Sequence, residues 1–156
     1  MPNIIRQATL EDVPAIVGML ANDKLGAQRE DFKDPLPDAY LEAFDRISKD
    51  SNQELMVLED SRTMVIGTLQ LSFIPYLTYQ GGIRAQIEAV RVHESFRGQG
   101  LGKMLFEWAI QRSKEKGAHV VQLTTDKKRP EALAFYKSLG FLDTHEGMKL
   151  HLKAKT

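Results

Sequence analysis

Apolar residues recur along this chain with two different periods, and the periods predict its elements. Ile4–Ala8 is a short apolar run that suits a strand. Thr9 then fits a helix N-cap with Asp12 three places on, as in a capping box, and Val13, Ile16, Val17 and Leu20 follow at helical spacing. The polar stretch Asn22–Asp38, with Pro35 and Pro37, reads as a loop before a second helix marked by Tyr40, Leu41, Phe44 and Ile47. Leu55–Leu58 and Met64–Phe73 read as strands around the turn Asp60-Ser61-Arg62. The run from Ile74 to Gly82 breaks the alternation, and Ile83–Val92 resumes it. Leu101, Leu105, Trp108, Ala109 and Arg112 line one side of a helix ending near Gly117, and Val120–Thr124 is a further strand. Pro130 suits the first turn of a last helix, whose apolar side is Ala132, Phe135, Tyr136 and Leu139. Gly140 then serves as a left-handed cap, with Phe141 folding back as its apolar partner. Short strands at Leu142–Thr144 and Met148–Leu152 close the chain. Hairpins come first and strand–helix alternation later, which predicts an α+β fold, a mixed α/β sheet with flanking helices.

Composition narrows the chemistry. The chain has 156 residues, 21 Lys+Arg against 21 Asp+Glu, and 42% hydrophobic residues, which suits one domain over 1–156. It has no cysteine, so disulfides, thiolate metal sites and a cysteine acyl-enzyme are all excluded. A net charge of zero argues against bulk attraction to nucleic acid or an anionic membrane. No apolar run approaches the roughly 18 residues of a membrane span. Arg6, Glu11 and Asp12 interrupt any signal-peptide pattern, and a cytoplasmic protein is expected. His93, His119, His145 and His151 lack metal-ligand spacing, so no metal is expected. Charge is uneven nonetheless: Asn22–Asp50 holds eight acidic and five basic residues.

The most informative stretch runs from Ile87 to Lys103, where a strand leads through Arg97-Gly98-Gln99-Gly100-Leu101-Gly102 into an amphipathic helix. Glycines let backbone N–H groups converge, and the helix N-terminus adds a positive dipole end, so the turn suits a phosphate or pyrophosphate. The dinucleotide fingerprint fails, because counting from Gly98 its last small residue falls on Lys103. Walker A fails too, with Arg97 and Met104 where glycine and Ser/Thr are needed. What remains, Arg-x-x-Gly-x-Gly after a Val-x-Val strand end, closely resembles the coenzyme A pyrophosphate loop of the GCN5-related N-acetyltransferase (GNAT) superfamily. Tyr136-Lys137-Ser138-Leu139-Gly140-Phe141 matches that family's Tyr-x-x-Leu-Gly-Phe ending, and the order of elements agrees over nearly the whole chain.

The resemblance implies an acyl-CoA N-acyltransferase fold, with a mostly antiparallel twisted sheet, flanking helices and a splayed cleft for acetyl-CoA as acetyl donor. It implies direct transfer of acetyl to a primary amine, on a small molecule or a peptide, with no nucleic-acid or membrane partner; a homodimer is the family's common habit. It assigns Val90, Arg91, Val92, Arg97, Gly98, Gln99, Gly100, Leu101, Gly102 and Lys103 to acetyl-CoA, with Val90 and Val92 aligning the pantetheine arm through their backbone. One departure stands out: Arg129 occupies the place where relatives carry an asparagine that contacts the cofactor, and Lys127-Lys128-Arg129 is either a phosphate contact or a solvated helix start.

An attacking amine must lose a proton, and the departing thiolate benefits from gaining one. Strict alternation puts Glu88, Val90 and Val92 on one strand face, and the resemblance, in which an acidic residue on this strand lies near the acceptor amine, implies Glu88 as the leading base; its alternative role is a salt bridge with Arg84 or Arg91. Asp126 is the second candidate, or else a cap of the last helix. Tyr136 is the favoured acid, a phenol with ordinary pKa about 10, and its alternative is a packing aromatic. A backbone N–H of the Glu88–Val92 strand, that of Val90 first among them, is expected to polarise the thioester carbonyl. Phe73, Tyr76 and Tyr79 are candidates to line an acceptor pocket, facing the acidic Asn22–Asp50 segment. A non-catalytic acyl-CoA sensor on the same fold is the rival reading, and an antiparallel-sheet nucleic-acid binder is disfavoured by the charge balance and the lack of an aromatic-basic strand motif.

Overall fold

The computed structural model describes residues 2–153, and they separate into two compact units that meet in sequence at Val121 and Gln122. The first unit holds the strands β1 (Ile4–Gln7), β2 (Gln53–Glu59), β3 (Val65–Pro75) and β4 (Ile83–Val92). They pair antiparallel in sequence order, with the short α4 (Thr78–Gly81) between β3 and β4, and β5 (Val120–Gln122) follows β4 as the fifth strand of the sheet. Alternation along β2 divides its side chains between two layers. Leu55 and Val57 pack with Ile16 and Leu20 of α1 (Val13–Ala21) and Phe44 of α3 (Asp38–Ser48). On the other face Leu58 meets Leu105 of α5 (Leu101–Glu115) across Gly67, where an added Cβ would lie 3.2 Å from both side chains. Arg112 of α5 grips Glu54 of β2 with two parallel hydrogen bonds, Nε to Oε1 at 2.8 Å and Nη2 to Oε2 at 2.7 Å.

The entry into α1 is held by charge as well as packing. Thr9 and Asp12 form the capping box, with the Thr9 N–H donating to Asp12 Oδ2 at 2.7 Å, over a 3-10 turn at Leu10–Asp12. The same carboxylate, only 7% exposed, receives Nη1 and Nη2 of Arg6 at 2.8 and 3.0 Å, while Arg6 Nε donates to Glu59 at 2.8 Å. One arginine therefore ties β1, β2 and the start of α1 together. Its guanidinium holds the Asp12 carboxyl below the usual carboxylate range, mainly through those hydrogen bonds, and burial opposes this in part.

Two expectations need correction. The stretch Asn22–Asp38 is not wholly loop: α2 (Lys24–Arg29) forms within it, with Asp23 accepting from the Gly26 N–H as N-cap. Gly26 sits so close to α1 that a Cβ would lie 2.0 Å from the Leu20 carbonyl oxygen. The closing strands Leu142–Thr144 and Met148–Leu152 do not form. Met148, Leu150 and Leu152 alternate as a strand requires, yet they and Leu142 are 80–92% exposed, and alternation without a hydrogen-bonded neighbour makes no strand. In the second unit α6 (Pro130–Ser138) ends as expected: Gly140 has φ 99°, its N–H meets Lys137 O at 3.0 Å, and the Phe141 N–H meets Tyr136 O at 3.1 Å. That is the Schellman arrangement.

Asp12→Asn is expected to lower stability by about 2 kcal/mol at neutral pH, because hydrogen bonds to a charged partner contribute roughly 1.5–3 kcal/mol. The folded-state pKa of Asp12 is depressed, so its stabilisation is complete above the unfolded value of about 3.9 and fades as pH falls through the lower folded value. Urea unfolding of parent and variant should therefore converge in strong acid. A gap that stays constant there would place the effect outside the Asp12 charge.

Candidate functional site

β4 departs from regular pairing at one point. Thr68 pairs with Arg91 and Gln70 with Glu88, so Leu69 alone stands opposite both Ala89 and Val90. This is a β-bulge on β4, with Ala89 in the left-handed region at φ 55°. The extra residue reverses the alternation beyond it. Glu88 shares the sheet face of Gln70, toward α1 and α3, while Val92 pairs with Gly67 and faces α5. The expectation that Glu88, Val90 and Val92 lie on one face is thus corrected, and Arg91 takes the place beside Glu88.

Glu88 is exposed, and its carboxylate has no hydrogen bond or ion pair among the described residues, so neither Arg84 nor Arg91 neutralises it. Arg91 turns elsewhere: Nη1 donates to the Val90 carbonyl at 2.8 Å, and Nη2 lies 3.8 Å from Asp23, the N-cap of α2. The Arg91 side chain thereby braces the bulge against the α1–α2 junction. Arg84 instead lies over the ring of Tyr76, 5.1 Å from its centroid.

β4 also outruns its neighbour. The His119 N–H donates to Ile83 O at 2.9 Å, and the three residues of β5 extend only roughly 10 Å from there at about 3.3 Å per residue. That falls short of Glu88, so the outer edge of Glu88–Val92 runs past β5. The chain then enters a 3-10 turn at Glu94–Phe96, capped by His93, whose Nδ1 accepts from the Ser95 N–H at 3.1 Å. His93 thus has a structural task.

The glycine loop follows directly. Gly98 and Gly100 have φ 80° and 78°, and a Cβ on either would meet nothing within 4 Å. Their need for glycine is conformational, and the space above them is open. Gly100 caps α5, whose first intrahelical bond runs from the Met104 N–H to Gly100 O at 3.1 Å. The N–H groups of Leu101, Gly102 and Lys103 therefore lack an intrahelical acceptor at the positive end of a 15-residue helix. Arg97 and Lys103 are exposed beside them, Lys103 Nζ lying 3.8 Å from Glu107. Converging N–H groups, open space and mobile cations are what a pyrophosphate requires.

On the α1–α3 face the first unit holds a cavity of ≈ 160 Å³, lined by α1, α3, β2, β3 and Ala89 of the bulge. It does not include the aromatics expected to line an acceptor pocket. Phe73 is 3% exposed on the α5 side, with Lys116 Nζ 5.2 Å from its ring centroid. Tyr76 and Tyr79 gather around His119 at the β3–β4 turn, Tyr76 bonding to it and the Tyr79 ring lying 4.5 Å from it. Phe44, Ile47 and Leu20 are among the residues that reach the cavity instead, and their helical spacing marks them only as core.

Asp126, Arg129 and Tyr136 belong to the second unit. Asp126 closes the turn before α6, its Oδ1 accepting from the Lys128 N–H at 2.8 Å and its carbonyl from the Arg129 N–H at 2.9 Å, which accounts for it as a turn residue. Lys127 Nζ lies 3.8 Å from Glu146 on the surface. The Tyr136 ring packs edge-on to Phe141 at 6.3 Å, the apolar contact of the Schellman cap. Among the described residues no group of three His, Asp or Glu could hold a metal ion, and no helix is long and apolar enough to cross a membrane.

Comparison with known proteins places this geometry. The profile of the acetyltransferase (GNAT) family matches residues 21–141. A glucosamine 6-phosphate N-acetyltransferase from Trypanosoma brucei brucei is 36% identical over 88 residues, covering 56% of this chain and 58% of that protein. The chain thus matches little more than half the length of that relative. An aminoalkylphosphonate N-acetyltransferase from Salmonella typhimurium is 26% identical over 142 residues, covering 90% of this chain and 86% of that protein. A crystal structure described as a transcriptional regulator from Bacillus halodurans C-125 superposes with TM-score 0.93 at 52% identity, covering 97% of this chain and all of that one.

The loop geometry sets a sharp expectation at Gly100. Gly100→Val should cost about 1–2 kcal/mol, the penalty for an L-residue in the left-handed region. Gly100→Asn should cost less, because asparagine tolerates that region and nothing crowds its Cβ. Urea unfolding distinguishes them. Equal losses would mean that the backbone angle is not the constraint.

Proposed function

The chain belongs to the acetyltransferase (GNAT) family, and from that premise we propose that it transfers acetyl from acetyl-CoA directly to a primary amine. The whole span 1–156 serves this one activity. The observation that carries the reading is the open edge of Glu88–Val92 running straight into the glycine loop. The loop supplies N–H groups, with Arg97 and Lys103, to the cofactor's pyrophosphate; Gly98, Gln99, Gly100, Leu101 and Gly102 make its floor. Val90 and Val92 offer backbone groups to the pantetheine arm along the edge beyond β5, as a further strand would take them, and Arg91 between them secures this stretch to β3 opposite Thr68.

The chemistry needs two protons removed from nitrogen, one before attack and one after, and one delivered to sulfur. The unpartnered carboxylate of Glu88 takes the proton of the acceptor ammonium, directly or through one water. The neutral amine attacks the thioester carbonyl carbon, the N–C bond forms, and the oxyanion is stabilised by the Val90 N–H. The C–S bond breaks as the intermediate collapses, the Tyr136 hydroxyl gives its proton to the departing thiolate, and the proton still on nitrogen passes through water to the Tyr136 phenolate. No acyl-enzyme intervenes, in keeping with the absence of cysteine. Asp126 is set aside as base because both its carboxylate and its carbonyl close a turn.

A second reading has one observation in its favour: the structure at 52% identity is described as a transcriptional regulator. On that reading the chain is an acyl-CoA sensor without turnover. Titration calorimetry with acetyl-CoA, followed by thiol release across a panel of amines, separates the two. Binding with CoA release supports the enzyme; binding without release from any amine supports the sensor; no binding overturns both.

Gly100→Glu is expected to abolish acetyl-CoA binding by placing a carboxylate in the anion site. Tyr136→Phe should lower kcat on the order of 10²-fold, the lower end of general acid catalysis, with little change in acetyl-CoA affinity. Full activity in that variant would remove Tyr136 as the acid. Glu88→Gln should lower kcat/KM for the amine with little change in acetyl-CoA affinity; full activity in that variant would remove Glu88 as the base.

A further inference from the structure

The cavity on the α1–α3 face has a composition that selects among amines. Ten of its thirteen lining residues are hydrocarbon, Val13, Ile16, Leu20, Phe44, Ile47 and Leu55 among them, and none is lysine, arginine or histidine. Its three polar lining residues are already engaged. Thr68 Oγ1 donates to Met56 O at 2.9 Å, and Gln70 Nε2 donates to Gln53 Oε1 at 2.8 Å. The Tyr40 hydroxyl donates to Glu30 Oε1 at 3.0 Å and accepts from the Asp31 N–H at 2.9 Å. A phosphate, phosphonate or carboxylate entering here would lose its water and find no cation in the lining, a cost of several kcal/mol, and Arg91, opposite Thr68 on this face, is engaged by the Val90 carbonyl and Asp23. An apolar group would lose nothing.

Its size sets the scale. An apolar protein cavity of about 150 Å³ holds one benzene molecule, and this one is ≈ 160 Å³. Charge stands at the edge rather than inside. Ala89 lines the cavity, and Glu88 precedes it on the same sheet face as the lining residue Gln70, with its carboxylate unpartnered. An ammonium held at Glu88 therefore places whatever it carries against hydrocarbon.

We infer that this cavity binds the body of the acceptor, and that the acceptor is a primary amine bearing one aryl or branched alkyl group of about six carbons and no acidic group. This rests on the acetyl-transfer reading above, and it separates this chain from the relatives named for phosphate- and phosphonate-bearing amines. Selection comes from the walls, and the bulge brings wall and carboxylate together.

The test uses the whole chain with acetyl-CoA and compares 2-phenylethylamine and 3-methylbutylamine with ethylamine, glucosamine 6-phosphate and 2-aminoethylphosphonate. The two apolar amines should exceed every other acceptor at least tenfold in kcat/KM. Ala43→Leu fills the cavity from α3 and should lower the ratio of kcat/KM for phenylethylamine over ethylamine at least tenfold, through KM. Preference for either anionic amine, or a ratio unmoved by Ala43→Leu, overturns the proposal. A second measurement does not depend on turnover: 2-phenylethylamine added without acetyl-CoA should shift the NMR methyl signals of Ile16, Leu20 and Ile47, and should fail to do so in Ala43→Leu. Binding there without acetyl transfer upholds the cavity and overturns the enzyme reading. Neither binding nor transfer overturns the cavity proposal itself.

Discussion

A single extra residue in β4 governs what the rest of this structure can do. Because Ala89 and Val90 share one partner in β3, the strand bends and its side-chain order reverses. Pairing from the β3–β4 turn puts Glu88 opposite Gln70, toward α1 and α3, and regular alternation would carry Val90 and Val92 to that same face. The bulge turns Val92 instead toward α5, into the layer of Leu58, Gly67 and Leu105, and sets Ala89 against the cavity beside Glu88. The arrangement is strained: Ala89 occupies the left-handed region, which costs an L-residue roughly 1–2 kcal/mol. Arg91 offsets that cost locally, fastening the Val90 carbonyl with a charged hydrogen bond while it faces Asp23 at the head of α2.

The same logic extends outward through charge pairs placed at junctions. Arg6 joins β1, β2 and the α1 entry; Arg112 joins α5 to β2; Arg91 joins β4 to the α1–α2 junction. Each is partly buried and arginine in every case, so a planar fork can serve two partners at once. These ties hold α1 where its apolar side closes over the sheet and forms one wall of the cavity. Packing supplies the bulk of the stability, and the arginines set where the layers stop.

The helices and hairpins were legible because each carries a local signal. Thr9 and Asp12 announced α1, Pro130 and Gly140 bracketed α6, and Gly98 and Gly100 marked the loop, since glycine at positive φ leaves its trace in the residue type itself. The bulge was not legible, because Ala89 is an ordinary strand residue and its left-handed backbone is imposed by the register with β3. α2 was hidden by a polar, six-residue helix that offers no apolar stripe. The closing strands misled in the opposite direction: Met148, Leu150 and Leu152 have the right period, and period alone does not supply a ladder partner. Glu88 and Tyr136 were singled out through a family resemblance, and the geometry shows why neither could be weighed from spacing. The face of Glu88 depends on the register with β3, and Tyr136 also serves the helix cap.

The two halves of the proposed chemistry therefore differ in how they are written into the chain. A pyrophosphate is recognised by backbone N–H groups, so its site needs glycines in one short stretch, and a motif of six residues suffices. An acceptor is recognised by side chains drawn from α1, α3, β2, β3 and β4, residues separated by up to 76 positions from Val13 to Ala89. No local pattern can encode such a wall, and each of its members reads as core until the fold assembles them. Relatives can keep the loop while the wall drifts, because exchanging one apolar residue for another on α1 or α3 costs the fold little and reshapes the cavity directly. Acceptor choice in this chain is accordingly a property of its packing, and it has to be read from the walls of the cavity.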